Sequence, residues 1–143
     1  MSLEVRPAAG PEEIGQALEL RREVFVVEQN VSEEEEFDGR EDECVHVLAV
    51  DDGRVIGCCR LLPDGEKVKL GRMVVAADRR REGIAAALLA ESDVQAAALG
   101  AGLITLSAQT YVVSLYEQAG YEVTSGTFDE VGIEHVRMEK RLG

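Results

Sequence analysis

The stretch "CVHVLAVDDGRVIGCCRLLPDGEKVKLGRMVV" constrains this chain more than any other. Three apolar runs are separated by "DDG" and "PDGE", and aspartate and glycine tolerate the positive φ that tight hairpins require. Three sequential antiparallel strands are the simplest reading. The periodicity then changes. From Gly83 onward, Ala85, Leu88, Leu89, Ser92, Ala96 and Leu99 fall at three- and four-residue steps, a helical face small enough to lie close against a sheet. The chain must therefore run from a strand meander directly into a helix, and the junction lies at "VVAADRRREGIAAALLAES".

The flanking segments extend the pattern. "LEVRPA" alternates as a first strand, and "PEEIGQALELRREVFVVEQ" reads as an amphipathic helix with Pro11 at its start and two acids in its first turn. Its expected inner face carries Ile14, Leu18 and Val24 or Phe25. "NVSEEEEFDGREDE" holds eight acidic side chains without apolar periodicity, so a solvated loop or a short second helix is expected there. "GLITLSA" reads as a short buried strand, "TYVVSLYEQAG" as a helix closing at Gly120, and "YEVTSGTF" with "IEHVRMEKRL" as a final strand pair. The order predicts one α/β domain over residues 1–143: a central mixed sheet of about six or seven strands with helices on both faces.

Composition excludes several classes. A length of 143 residues with 45% hydrophobic content supports a core. No window approaches the ~18 apolar residues of a membrane span, and no basic-then-apolar leader opens the chain, so a cytoplasmic protein is expected. A formal charge of -13 argues against nucleic acid and anionic membranes as partners. Cys44, Cys58 and Cys59 have no metal-ligand spacing, so reduced, packed thiols and no metal are expected.

A strand feeding a helix start leaves backbone N–H groups at the positive end of the helix dipole, which is an anion site. Gly83 allows close approach, Ala85 keeps the next turn uncluttered, and Arg79, Arg80 and Arg81 add positive charge. A diphosphate is the natural occupant; an ordinary turn before a helix is the alternative. The Walker lysine and a full G-x-G-x-x-G are both missing, which disfavours nucleotide hydrolysis and dinucleotide binding.

In this context "KVKLGRMVVAADRRREGIAAALLAES" resembles the cofactor-binding motif of the GNAT superfamily of N-acetyltransferases, Q/R-x-x-G-x-G/A, carried here by Arg80, Gly83 and Ala85. "SLYEQAGYEV" resembles the same family's helix-four motif, with Tyr116 at its tyrosine. The element order also matches, so the resemblance covers essentially the whole chain. "LRREVFVVEQNV", "EFDG", "CVHVLA", "GRMVV" and "GIEHVRM" are similar to the ElaA-like subgroup, a resemblance that does not identify the acceptor.

The resemblance implies an acetyl-CoA-dependent enzyme that acetylates a primary amine of a small molecule, peptide or protein by direct attack in a ternary complex. Pantetheine would pair with the backbone at Met73, Val74 and Val75, and the diphosphate would lie on the amides of Arg81, Glu82, Gly83, Ile84, Ala85 and Ala86. Direct attack needs a neutral amine, a stabilised oxyanion and a protonated leaving thiolate. Backbone N–H around Val74 or Val75 would serve the second need and Tyr116, as general acid, the third; a ring simply packed on its helix is the other reading of Tyr116. For the base, His46 and His135 are the only histidines, the side chain whose charge changes near neutrality. Glu28 and the acids of residues 33–38 compete with them. Arg72 would pair with one of these acids or meet an acidic part of the substrate.

The run Glu33 to Glu36 would attract a cationic acceptor, such as a polyamine, an aminoglycoside-like molecule or a lysine side chain; a merely solvated acidic face is the alternative. Two other functions stay open in the sequence. One is an acyl-homoserine-lactone-synthase-like acyltransferase, favoured by "FVVEQNVSEEEEFDG" but disfavoured by the short chain and the lack of tryptophan. The other is a CoA-binding module without catalysis. Homodimers are common in the superfamily, and nothing in the sequence marks an interface.

Overall fold

A computed structural model describes residues 3–142. Strand β1 (Leu3–Pro7) leads into α1 (Pro11–Arg21), where Pro11 presets φ and Glu12 and Glu13 face the positive end of the helix dipole. The single long helix expected here changes its winding: Arg22–Glu28 form a π turn, in which Gln29 N–H donates to Val24 O at 2.9 Å. A short helix α2 (Glu33–Glu36) follows, then β2 (Val45–Asp51), β3 (Arg54–Asp64), β4 (Lys67–Val75), α3 (Ile84–Ala98), β5 (Leu103–Gln109), α4 (Val113–Gln118), β6 (Glu122–Val123), β7 (Phe128–Glu130) and β8 (Ile133–Arg141).

All eight strands join one mixed sheet in the order β1-β2-β3-β4-β5-β8-β6, with β7 also paired to β8. Among the described residues only β4 and β5 run parallel. The turn between β2 and β3 has Asp52 at φ 50 and Gly53 at φ 79, the paired positive angles of a tight hairpin. The eighth strand arises because "YEVTSGTF" breaks in two. Thr124 N–H still donates to Arg137 O at 2.8 Å, but Arg137 N–H turns to Ser125 Oγ at 2.8 Å, so a hydroxyl replaces the next ladder acceptor.

Helices cover both faces, and adjacent cysteines on β3 show how. Successive strand side chains point to opposite faces. Cys58 Sγ lies 3.9 Å from Ala17 O of α1, and Cys59 Sγ lies 3.3 Å from Ser92 Oγ of α3. Both thiols are free and buried, and burial pushes that of Cys59 up to about 12, which keeps it protonated and inert. Gly57 brings α3 down onto β3: a Cβ there would lie 3.0 Å from Ile84 Cγ2 and 3.3 Å from Leu88 Cδ1.

The helix faces depart from expectation at two points. The buried stripe after β1 is Ala17, Leu20, Arg21 and Val24, while Ile14 and Leu18 are only half-buried. Helix α1 is rolled so that the Arg21 guanidinium points inward to carboxylates. On α3, Leu88, Leu89, Ser92 and Ala96 are buried as expected, but Leu99 is exposed where the chain turns away at Gly100, φ 80. Among the described residues no helix is long and apolar enough to cross a membrane.

Candidate active site

The parallel pairing of β4 with β5 is short. Its register runs from Lys67↔Leu103 to Lys69↔Thr105 and stops, although β4 continues to Val75 and β5 to Gln109. On their other edges both strands stay paired to these ends, β4 with β3 and β5 with β8. A notch with unpaired backbone groups therefore opens between them, an edge that an extended, amide-bearing ligand can join as an added strand.

A bulge shapes the β4 wall. Cys58 pairs with Val74 and Arg60 with Gly71, so Cys59 faces both Arg72 and Met73, and Arg72 takes φ 54. The extra residue reverses the alternation, and Val74 shares the face of Cys58. The Arg72 side chain reaches α2, donating from Nε to Glu36 O at 3.2 Å and from Nη2 to Glu35 O at 3.4 Å.

Beyond Val75 the chain passes through a 3-10 turn (Ala77–Arg79) to the start of α3. Arg81 has φ 67 and Gly83 φ 80. Among the described residues no side chain caps α3, so its first amides stay open to an anion. A Cβ at Gly83 would meet nothing within 4 Å, which makes the positive φ, not crowding, the reason for glycine. The three arginines do not act as one patch. Arg79 pairs with Asp51 at 2.9 Å and Glu82 at 3.0 Å, and Arg80 makes a two-pronged pair with Glu28; Arg81 is exposed. From Ala86 a cavity of about 290 Å³ runs between α3 and α4, lined by Leu89, Ala90 and Leu115 and, farther along α3, by Asp93. Asp93 Oδ2 binds Lys140 Nζ at 2.6 Å, while Asp93 Oδ1 and the Tyr121 hydroxyl are buried without a partner among the described residues.

Tyr116 lies on α4 with 7% of its surface exposed, its ring edge-to-face with Tyr121 at 5.9 Å. Burial pushes its hydroxyl up to about 12, so it holds its proton. The two histidines are not brought together. His46 on β2 and His135 on β8 are separated by three strands, with the β4–β5 notch among them. His46 Nε2 is 3.0 Å from Glu41 O; His135 Nδ1 is 2.7 Å from Ile133 O, with its ring stacked on Phe128. The register sets His135 opposite Gln109, at the open end of β5.

The acidic segment is exposed at Glu33, Glu34 and Glu35, as expected of a solvated run, but not throughout. Ser32 caps α2 by accepting from Glu35 N–H, and Glu36 turns inward to 3% exposure. Its carboxylate meets Arg21 at 2.8 Å and Arg72 at 3.2 Å. Glu41 takes Arg21 at 2.8 Å and Arg60 at 3.2 Å, and Asp38 takes Arg60 at 2.5 Å and Arg72 at 3.6 Å. Three carboxylates are thus matched by three arginines, and Glu33 pairs with Arg22. The reserve of negative charge expected for a cationic acceptor is correspondingly smaller. One signal for this network was in the sequence: Arg60 interrupts the apolar run "RVIGCCRLL", and a buried charge requires a partner.

This network carries an acid-sensitive part of the stability. The Arg60 guanidinium holds the Asp38 carboxyl well below the usual carboxylate range. A carboxyl depressed on folding stabilises above its unfolded value, about 3.9, and loses that contribution as pH falls toward the folded one. Urea midpoints of the wild type should therefore exceed those of Asp38→Asn at pH 7, and the gap should narrow between about pH 4 and pH 2. A gap independent of pH would contradict the pairing.

A strand edge left open beside a second strand and running into an uncapped, glycine-started helix offers one continuous place for an extended ligand that ends in an anionic group. Residues 5–142 match the Acetyltransferase (GNAT) domain family. The chain is 36% identical over 134 residues to the uncharacterized N-acetyltransferase YjcF of Bacillus subtilis, covering 93% of this chain and 96% of that one. It is similar to the crystal structure of an acyl-CoA N-acyltransferase from Pseudomonas aeruginosa, with TM-score 0.85, 27% identity and coverage of 98% and 99%. Escherichia coli ElaA shares the fold with TM-score 0.86 at 23% identity, over 99% and 100% of the two chains. The chain belongs to the GNAT acetyltransferase family, an acyltransferase of the N-acetyltransferase class.

Proposed function

We propose that this protein transfers the acetyl group of acetyl-CoA to a primary amine of a small molecule, peptide or protein. The observation that carries this reading is the unpaired β4 edge ending at the uncapped start of α3. The residues present fit the donor. Met73, Val74 and Val75 offer strand-type backbone partners to pantetheine, and the amides from Arg81 to Ala86 offer a helix start to the diphosphate. Acetyl-CoA brings the activated acetyl thioester; the protein's groups do the rest. Of the two candidate N–H groups, Val74's is directed to β3 by its pairing with Cys58, so Val75's would meet the carbonyl oxygen. Tyr116 holds the proton destined for the departing sulfur. The amine proton passes to a nearby base, for which Glu28 beside Arg80 and His135 opposite Gln109 at the end of β5 are the favoured candidates; His46 is close to Glu41 of the arginine network instead.

A thermal-shift titration tests the donor site. A ligand that binds only the folded state stabilises it by about 2.7 kcal/mol at 100 times its Kd. Acetyl-CoA should raise Tm in proportion to the logarithm of its concentration, with no matching response to ATP or S-adenosylmethionine. Gly83→Glu should abolish the response, since the added carboxylate enters the anion site; the strain of a side chain at φ 80 costs about 1–2 kcal/mol and leaves the fold intact by circular dichroism. A folded wild type with no acetyl-CoA response would overturn the reading.

A further inference from the structure

Arg80 is the basic residue of the glycine motif, yet its guanidinium is engaged across the notch. Nη1 and Nη2 donate to the two carboxylate oxygens of Glu28, each at 3.0 Å, and Nε donates to Val75 O at 3.1 Å. That carbonyl belongs to the open edge of β4. Ala76 N–H donates to Ile56 O of β3 at 2.8 Å, so Ala76, just past β4, is in the hydrogen-bonded position of the ladder. Antiparallel alternation then turns the N–H and C=O of Val75 outward, to the side that β5 leaves free. Glu28 closes the π turn, and its neighbour Gln29 accepts from Gln109 Nε2 at 3.0 Å at the end of β5. The π turn is thus fastened to both walls of the notch.

We propose that Glu28 and Arg80 form a clasp over the β4 edge that acyl-CoA must open to enter. This rests on the reading of the notch as the donor site. With the clasp closed, Arg80 Nε occupies an acceptor that an added strand would need, and both guanidinium prongs are taken by a carboxylate. The incoming diphosphate is a competing partner of higher charge for the same fork. Once Arg80 turns to it, Val75 O is freed for the ligand, and the Glu28 carboxylate is released at the mouth where the acceptor amine must arrive. Both side chains are over 40% exposed, so the pair is weak enough to yield to a ligand.

Two probes separate the clasp from a passive surface pair. Acetyl-CoA is titrated calorimetrically, and S-acetylpantetheine, which lacks the diphosphate, by NMR, into wild type, Glu28→Gln, Arg80→Gln and the double variant. Glu28→Gln should tighten acetyl-CoA by about two- to fivefold, the worth of an exposed pair that no longer has to be broken. Arg80→Gln should act in opposite directions: weaker acetyl-CoA, for loss of a diphosphate partner, and tighter S-acetylpantetheine, for release of Val75 O. In the Arg80→Gln background, Glu28→Gln should change neither. Acetyl-CoA affinity unchanged or weakened in Glu28→Gln, or both probes weakened in Arg80→Gln, overturns the clasp alone. A wild type that binds neither probe overturns the donor reading and the clasp together.

Discussion

Replacing Tyr116 with phenylalanine should lower kcat about 100-fold while leaving the affinity for acetyl-CoA within about twofold. The substitution removes one oxygen and keeps the ring, so the edge-to-face contact with Tyr121 and the packing of α4 persist. The loss falls on the step in which a proton must reach the departing sulfur. Burial holds the Tyr116 hydroxyl up to about 12, from an ordinary value near 10. An acid acts in its protonated form, present below its pKa, so the wild-type rate should not decline through loss of this proton until the pH is well above 10. Steady-state rates with a panel of amines, beside calorimetric acetyl-CoA binding, make the measurement. Unchanged turnover would leave Tyr116 a packing residue, a role its 7% exposure also suits.

The features legible in the sequence were those set by neighbours in the chain. Asp52 and Gly53 announce their hairpin because positive φ is a local property, and Leu88, Leu89, Ser92 and Ala96 announce a buried helix face through their spacing. Gly83 marked the helix start for the same reason. What stayed hidden depends on distant partners. The bulge at Arg72 and Met73 is a matter of register between strands, and neither strand alone carries it. Glu36 sits in a run of four glutamates that reads as solvated; only Arg21, fifteen residues earlier, and Arg72, thirty-six residues later, turn it inward. Arg80 likewise reads as an anion ligand from its motif, and its engagement with Glu28 becomes visible only when the π turn is laid across the notch.

The largest loss of stability should come from Arg21→Met. The methionine keeps an apolar stem against α1's neighbours and removes the charge that lies between Glu36 and Glu41. Removing one partner of a buried ion pair typically costs about 3–5 kcal/mol, because a charge is left without compensation. Here Arg72 still reaches Glu36 and Arg60 still reaches Glu41, which sets the expectation near the lower end, about 3 kcal/mol. Adding Glu36→Met should recover part of the loss, since the deepest orphaned charge is then gone. Urea unfolding at pH 7, with an unchanged m-value, reads both effects; a loss under about 1 kcal/mol would mean that the network is as weak as a surface one. The network also reaches the site. Arg72 ties the β4 bulge to Glu36, so Arg21→Met should speed amide exchange at Met73 to Val75 more than in β8, which the network does not touch. The residues that hold Glu36 inward would then be the same ones that keep the β4 edge in shape for its ligand.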